Sequence, residues 1–293
     1  MKLCVVDFWE DAFDGDFFEY FFNVGLGGYE RVTNHDEADI VVKSVFGNTQ
    51  TDPKKTIMYI GENVRPNFMG YDYSLSFDYD TYGGRNCRLP LWYSRVEWPG
   101  YKYRVRKPNR LHHGYEPLIS LAKLTSTRYA DESTPNKRFC LLVANNPESL
   151  RISMFNSLSQ YKQVDGYGNM FGRPLVASKF DVMKDYRFAM CPENSIYPGY
   201  VTEKLIDAYA GGCVPIYSGH PNMDTEFNQD AFLNYQDYLD MDNFVAAVKD
   251  IDCSEEVYEK YYNQPLLKEK PHLNHQLAFM FNTSSKIRRN NKC

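Results

Sequence analysis

Two stretches of this 293-residue chain place charged side chains where an apolar run gives way to a helical one. The first is Ala144-Asn145-Asn146-Pro147-Glu148-Ser149-Leu150-Arg151. The second runs from Pro192-Glu193-Asn194-Ser195 through Tyr200-Val201-Thr202-Glu203-Lys204. Lys204 falls in the first turn of its expected helix, where the dipole is already positive and a cation costs up to about 1 kcal/mol. Glu203 offsets part of that cost, and a bound anion offsets it better, since a helix N-terminus with an ammonium is a phosphate site. Arg151, early in the preceding helix, adds a guanidinium suited to bidentate contact. Two junctions of one sheet, each with a cation, fit a diphosphate. The competing reading makes Arg151 and Lys204 solvated surface residues.

A third candidate is a carboxylate. The apolar run Met58-Tyr59-Ile60 enters Gly61, and Glu62 follows at the strand's end. Chain direction carries Glu62 to the rim of a parallel sheet, where ligands bind. There it faces a ligand or pairs locally, for instance with Arg65. DxD triplets can hold a divalent metal, and three occur: Asp14-Gly15-Asp16, Asp78-Tyr79-Asp80 and Asp240-Met241-Asp242. Only the second, with Asp78 and Asp80 after a strand, is retained. No GxxxxGK[ST] loop is present, and Gly25-Leu26-Gly27-Gly28 fails GxGxxG at Glu30. The aromatics Trp9, Phe13, Trp92, Tyr93 and Trp98 stand either as sugar-binding faces or as core.

The elements that must position these groups alternate. Strands are expected at Leu3–Phe8, Ala38–Phe46, Thr56–Ile60 and Tyr73–Phe77, with a helix over Asp16–Val24. In the second half, strands at Phe139–Ala144, Tyr186–Cys191 and Cys213–Tyr217 alternate with helices at Pro147–Tyr161, capped by Asn146, and Thr202–Ala210, ended by Gly211-Gly212. A strand at Ala231–Tyr235 and a helix at Asp242–Val248 follow. The pattern is α/β, with a doubly wound parallel sheet over 138–250. Residues 1–112 form an N-terminal domain, 113–137 a connection, and 138–293 a C-terminal domain whose basic tail, Lys286–Cys293, is expected to be disordered. The basic run Lys102, Arg104, Arg106, Lys107 and Arg110 is an anion patch or, more simply, a linker.

Composition bounds the partners. The chain is 43% hydrophobic and 24% charged with net charge −5, so it lacks the basic field of a nucleic-acid or anionic-lipid binder. No window approaches ~18 consecutive apolar residues, and the N-terminus is too polar after Val6 for a signal peptide. Seven singly placed cysteines read as reduced thiols. A cytoplasmic location is expected.

Tyr186-Arg187-Phe188-Ala189-Met190-Cys191-Pro192-Glu193-Asn194-Ser195 followed by Tyr200-Val201-Thr202-Glu203-Lys204 closely resembles the signature of the α1,3/α1,4-fucosyltransferase family. Val214-Pro215-Ile216-Tyr217-Ser218-Gly219 completes it, and Val164-Asp165-Gly166-Tyr167-Gly168 is similar to an upstream element. In the first half, Tyr59-Ile60-Gly61-Glu62-Asn63, Pro66-Asn67-Phe68, Tyr71-Asp72-Tyr73 and Arg88-Leu89-Pro90-Leu91 continue the match with bacterial members. The resemblance implies a GT-B architecture, two Rossmann-like domains facing a cleft, and inverting transfer of L-fucose from GDP-fucose to a glycan hydroxyl, α1,3 on GlcNAc of N-acetyllactosamine-type acceptors. By similarity, Arg151 and Lys204 neutralise the diphosphate. Asn194, Tyr200 and Glu203 contact the donor, Glu203 through ribose hydroxyls, and Glu62 is the general base. No cofactor or metal is implied. Pro192 and the Ile196-Tyr197-Pro198-Gly199 spacer depart from the pattern. The missing membrane anchor, cysteine pair and repeat tail favour a soluble bacterial or viral-type form. The alternatives are transfer from another nucleotide sugar, a metal-dependent transferase using Asp78 and Asp80, and a silent binding module.

Overall fold

A strand of a parallel sheet is covered on both faces by the crossovers that connect it, so its sequence is almost continuously apolar. Tyr186–Pro192, all seven residues of it buried, is such a strand. The structure, a computed structural model, describes residues 1–9, 13–101, 117–130, 136–174, 178–220, 223 and 225–290. The chain divides into two units: Met1–Ser94 with Trp98–Val105 and Pro271–Cys293, and Arg95–Glu97 with Arg106–Lys270.

The first unit contains β1 (Lys2–Val6), α1 (Phe17–Leu26), β2 (Glu30–Arg31), β3 (Ile40–Lys43), β4 (Thr56–Ile60), β5 (Tyr73–Ser76) and β6 (Asn86–Arg88). Its six-stranded sheet runs β2-β1-β3-β4-β5-β6 with every pairing parallel. In α1, Phe17, Phe18, Phe21, Phe22 and Leu26 are buried at helical spacing. Asp16 caps its start, and Gly27, at φ 67°, caps its end in the left-handed region. The glycines around position 27 thus end a helix.

The second unit contains α2 (Leu121–Thr125), β7 (Arg138–Val143), α3 (Ser149–Tyr161), β8 (Val164–Tyr167), α4 (Lys179–Met183), β9 (Tyr186–Pro192), α5 (Glu203–Ala210), β10 (Val214–Ser218), β11 (Leu233–Asn234), α6 (Met241–Asp252) and α7 (Glu255–Tyr262). Its parallel sheet runs β11-β10-β9-β7-β8. Phe139, Leu142, Met154, Phe188, Ile216 and Phe244 lie in its buried core. The sequence element Val164–Gly168 supplies β8, where Asp165 accepts a bond from Arg138 Nη1 at 3.1 Å. Arg187, inside β9, is buried against Asp252 and Glu255 at 3.3 and 2.8 Å.

Several expectations differ from the structure. Of the connection expected over 113–137, residues 113–116 and 131–135 lie outside the described residues, as does the basic run between Lys102 and Arg110. The described part is not a free linker. Lys123 Nζ donates to the Ala210 carbonyl at 2.7 Å, and Arg128 donates to the carbonyls of Tyr209, Cys213 and Tyr262, each at 2.7 Å. Second, α8 (Asn274–Asn290) is a helix through most of the segment expected to be a disordered tail. It packs against α1 and groups with the first unit, although the sequence division places it in the C-terminal domain. Met280, Thr283, Ser284 and Ile287, buried at three- and four-residue spacing, form its inner face. The basic residues that made the segment read as a tail are interleaved with this thin stripe. Third, the strand expected over Ala231–Tyr235 shortens to Leu233–Asn234, because Gln229–Ala231 and Tyr235–Asp237 form turns of 3-10 helix.

Cys4, Cys87, Cys140, Cys191 and Cys213 are buried free thiols, and Cys253 is an exposed one. Among the described residues no helix is long and apolar enough to cross a membrane.

Met280 is fully buried. Met280→Ala is expected to lower unfolding free energy by about 2–5 kcal/mol, read from urea denaturation. A loss below about 1 kcal/mol would show that α8 is not docked on α1.

Candidate active site

In the second unit, β7 and β9 are neighbours, so their carboxyl ends deliver two loops side by side. Arg151, in the first turn of α3, joins them. Its Nη1 donates to the Asn146 carbonyl, while Nη2 donates to the Pro192 carbonyl at 3.2 Å and to Asn194 Oδ1 at 2.9 Å. The residue is 4% exposed, so it is not a solvated surface cation. Burial pulls its pKa down and the carboxylates of Glu148 and Glu193 pull it back. It stays charged, because guanidinium does not deprotonate in proteins. Among the described residues these bonds use three of its five N–H donors, which leaves two for an anion. The grip on Asn146 also explains a shifted helix start. The helix expected from Pro147 begins at Ser149, with Glu148 as its N-cap.

At the β9–α5 junction the organising group is Glu193, whose side chain is fully buried. Its Oε1 accepts from the Thr202 backbone N–H at 2.8 Å, and its Oε2 accepts from Thr202 Oγ1 at 2.7 Å and Lys204 Nζ at 3.0 Å. Lys204 Nζ also reaches Thr202 Oγ1 at 2.8 Å and Glu203 Oε1 at 3.8 Å. Thr202 occupies the N-cap position, yet its side chain makes no capping bond. Its hydroxyl is turned to the stronger, charged acceptor. The reason advanced for Lys204 from sequence therefore changes. The offsetting anion at the helix start is Glu193, supplied by the chain, which sequence reasoning passed over although it lies inside the recognised motif. An acidic residue directly after a buried strand, with a lysine in the first turn of the helix that follows, was the available signal. Burial lowers the Lys204 pKa, but Glu193 and Glu203 outweigh it and hold the pKa above the ordinary lysine value.

Glu203 is the first residue of α5 and is partly exposed. Burial raises its pKa, but Lys204, Lys179, its own backbone N–H and Arg95 prevail and bring it down to about 2. One turn further, Asp207 is 1% exposed. Its Oδ1 accepts from Arg95 Nε and Nη2 at 3.0 and 2.9 Å, and its Oδ2 pairs with Lys179. Sequence reasoning named neither cation, since both are far from α5 along the chain. Asn194 is exposed and Tyr200 is buried beneath the loop. Arg151, Asn194, Tyr200, Glu203 and Lys204 are thus gathered around one pair of strand ends.

In the first unit, Glu62 follows β4 after Gly61 and is half-buried. A Cβ at Gly61 would stand 2.6 Å from Trp9 Cη2, so the indole occupies the space a side chain would need. Arg65 pairs with Asp78 at 3.0 Å. Asp78 also accepts from Tyr82 Oη at 2.7 Å and from the Asp80 N–H at 3.2 Å, and Asp80 accepts from the Tyr82 N–H at 2.8 Å. The retained DxD triplet thus organises its own loop. Asp16 and Asp240, from the other two, cap α1 and α6. Among the described residues no three His, Cys, Asp or Glu side chains gather as metal ligands.

Comparison with known proteins gives a consistent picture. The family described as "Glycosyltransferase family 10 (fucosyltransferase) C-term" matches residues 133–281, and "Alpha-(1,3)-fucosyltransferase FucT N-terminal domain" matches residues 3–94. The chain is similar to an α-(1,3)-fucosyltransferase FucT of Helicobacter pylori, 30% identical over 310 aligned positions that cover 95% of this chain and 63% of the relative. It is 31% identical over 135 positions to the 4-galactosyl-N-acetylglucosaminide 3-alpha-L-fucosyltransferase 9 of Bos taurus, covering 44% of this chain and 38% of that one. The chain therefore spans less than two thirds of the length of either relative. A crystal structure of an α1,3-fucosyltransferase with GDP superposes with a TM-score of 0.72 at 25% identity, covering 99% of this chain and 90% of that one.

Two outcomes follow from the charges around α5. Glu193→Ala strands Lys204 and Thr202, and is expected to cost about 3 kcal/mol, the low end for a broken buried pair because Lys204 is partly exposed. Denaturant titration measures it. The folded pKa of Glu203 lies below its ordinary 4.5, so its ionised form stabilises the fold above that pH, and the contribution is lost as pH falls toward about 2. The stability difference between wild type and Glu203→Gln should stay level at neutral pH and shrink through that window. A difference independent of pH would show that the surrounding cations do not hold the carboxylate.

Proposed function

The chain belongs to glycosyltransferase family 10, the fucosyltransferases, and on that premise we propose that it transfers L-fucose, with inversion, from GDP-fucose to the 3-hydroxyl of GlcNAc in a 4-galactosyl-N-acetylglucosaminide. The observation that carries this reading is the pair of cations at the ends of β7 and β9. A buried guanidinium with donors to spare and an ammonium pinned at a helix N-terminus suit the diphosphate of a nucleotide sugar. The crystal structure of a similar α1,3-fucosyltransferase with GDP and the acceptor in the bovine relative's name support the choice of nucleotide and acceptor.

The chemistry is one displacement. The acceptor oxygen forms a bond to the fucose anomeric carbon while the bond from that carbon to the phosphate oxygen breaks. GDP leaves with the electron pair, and the acceptor proton passes to Glu62. Negative charge grows on the leaving phosphate in the transition state, so Arg151, Lys204 and the N-terminus of α5 stabilise that state more than the ground state. Glu193 fixes the ammonium before the donor arrives, which removes the reorganisation a free lysine would need. Glu203, held ionised, offers its carboxylate to ribose hydroxyls, and Asn194 and Tyr200 border the same loop. These cations carry the leaving-group charge without a divalent ion, and no cofactor takes part.

Calorimetry with GDP in the presence of a chelator tests the donor half. GDP should bind, UDP should bind at least tenfold more weakly, and Arg151→Ala and Lys204→Ala should each lose about 1–3 kcal/mol. Equal binding of UDP, or binding that requires metal, would overturn it. Glu62→Gln tests the proton acceptor. Its transfer rate should fall by roughly 10²–10⁴ while GDP affinity stays near wild type. Transfer within a few-fold of wild type would place the base elsewhere.

A further inference from the structure

The sheet order places β1, β3 and β4 side by side in the first unit, so their carboxyl ends form one rim. Trp9 follows β1, Phe46 follows β3, and Gly61-Glu62 follow β4. The Trp9 and Phe46 rings lie 4.8 Å apart at 45°, and Trp9 also packs on Tyr59 and Phe18 at 5.8 and 6.2 Å. Of the five first-half aromatics that the sequence offers as sugar-binding faces, Phe13, Trp92, Tyr93 and Trp98 are all buried. Trp9 alone is partly exposed, beside Phe46, which is 46% exposed. Core packing does not require an indole and a phenyl ring to remain open at a sheet rim beside Gly61.

The platform is also rigid. Asp7, the residue after β1, adopts φ 54°, a conformation that costs a non-glycine residue energy and persists only where its surroundings enforce it. Its carboxylate accepts from the Thr49 N–H and Oγ1 at 2.9 and 2.7 Å and pairs with Lys43 at 3.3 Å. Its carbonyl accepts from the Phe46 N–H at 3.2 Å. One residue thereby ties the loop bearing Trp9 to the loop bearing Phe46. Gly61 then lets the indole close over the backbone that leads into Glu62.

We propose that Trp9, backed by Phe46, receives the apolar face of the acceptor sugar next to the reacting hydroxyl and so sets acceptor specificity. The inference rests on the fucosyl-transfer reading above. In a 4-galactosyl-N-acetylglucosaminide the galactose sits on O4, adjacent to the 3-hydroxyl whose proton goes to Glu62. The axial 4-hydroxyl of galactose leaves the C–H bonds at C3, C4 and C5 on one face, and an indole plane matches that face. An aromatic platform packed on Gly61, the residue before the base, therefore meets the galactosyl ring rather than the ring under attack.

Acceptor kinetics with N-acetyllactosamine and with GlcNAc alone separate the two rings. Trp9→Ala should raise the KM for N-acetyllactosamine about tenfold and leave that for GlcNAc within about two-fold, with GDP affinity unchanged. Phe46→Ala, at an exposed position, should raise the first KM about threefold and guards against a Trp9 variant that fails to fold. Binding is read without turnover by tryptophan fluorescence. N-acetyllactosamine, added with GDP present, should quench emission in wild type and not in Trp9→Phe. An unchanged KM in both variants, an equal rise for both acceptors, or quenching that survives in Trp9→Phe overturns the inference. Quenching at Trp9 without any transfer would support this subsite and overturn the fucosyl-transfer reading instead.

Discussion

Glu193 has no exposed side-chain surface, yet its carboxylate meets a backbone N–H, a hydroxyl and an ammonium within 3.0 Å. A carboxylate is tolerated there because both of its oxygens accept hydrogen bonds, one of them from a hydroxyl and an ammonium together. The arrangement decides several things together. It fixes where α5 begins, it turns Thr202 away from capping, and it brings Lys204 to a helix end that would otherwise repel it. The Glu193 backbone N–H also donates to the Ser218 carbonyl at 2.7 Å, which ties the junction to the end of β10. The Lys204 ammonium is thus held by the sheet itself and not by a ligand.

The same logic extends along α5. Asp207 gathers Arg95 and Lys179, two cations distant in sequence, onto the helix face one turn beyond Glu203. Glu203 and Asp207 are like charges at i and i+4, which would destabilise an isolated helix. Surrounding them with Lys204, Lys179 and Arg95 reverses that sign and holds the Glu203 carboxyl well below the usual carboxylate range. Arg151 does the corresponding work on the α3 side by bonding to both loops. The site is a set of mutually neutralising charges with a few donors left over, which is the form a preorganised anion site takes.

The first unit is organised by shape more than by charge. Its α1 face is almost wholly phenylalanine, and rings continue from there to Tyr59 and Trp9. The polar loops at the sheet rim are each closed by one carboxylate. Asp7 holds the loops after β1 and β3, and Asp78 holds the loop after β5 through Arg65 and Tyr82. Glu62 lies on the rim between these two organised regions.

The parallel sheets were legible because burial on both faces writes itself as apolar runs. Thr56–Ile60 has the limits read from the chain, and Tyr186–Cys191 extends by one residue. The placement of Arg151, Asn194, Tyr200, Glu203 and Lys204 at two strand-to-helix junctions, and of Glu62 just past β4, was likewise legible, since apolar runs and the recognised motif mark those ends. What stayed hidden was decided by partners remote along the chain. α8 buries a thin stripe on α1 behind a polar sequence, Arg95 and Lys179 meet Asp207 across long separations, and Trp9 comes to Gly61 only because β1, β3 and β4 are neighbours. Glu193 was visible as a letter but not as the anchor of α5. Local pattern records which face of an element is apolar, whereas the pairing of buried charges depends on which elements become adjacent, and only the folded chain settles that.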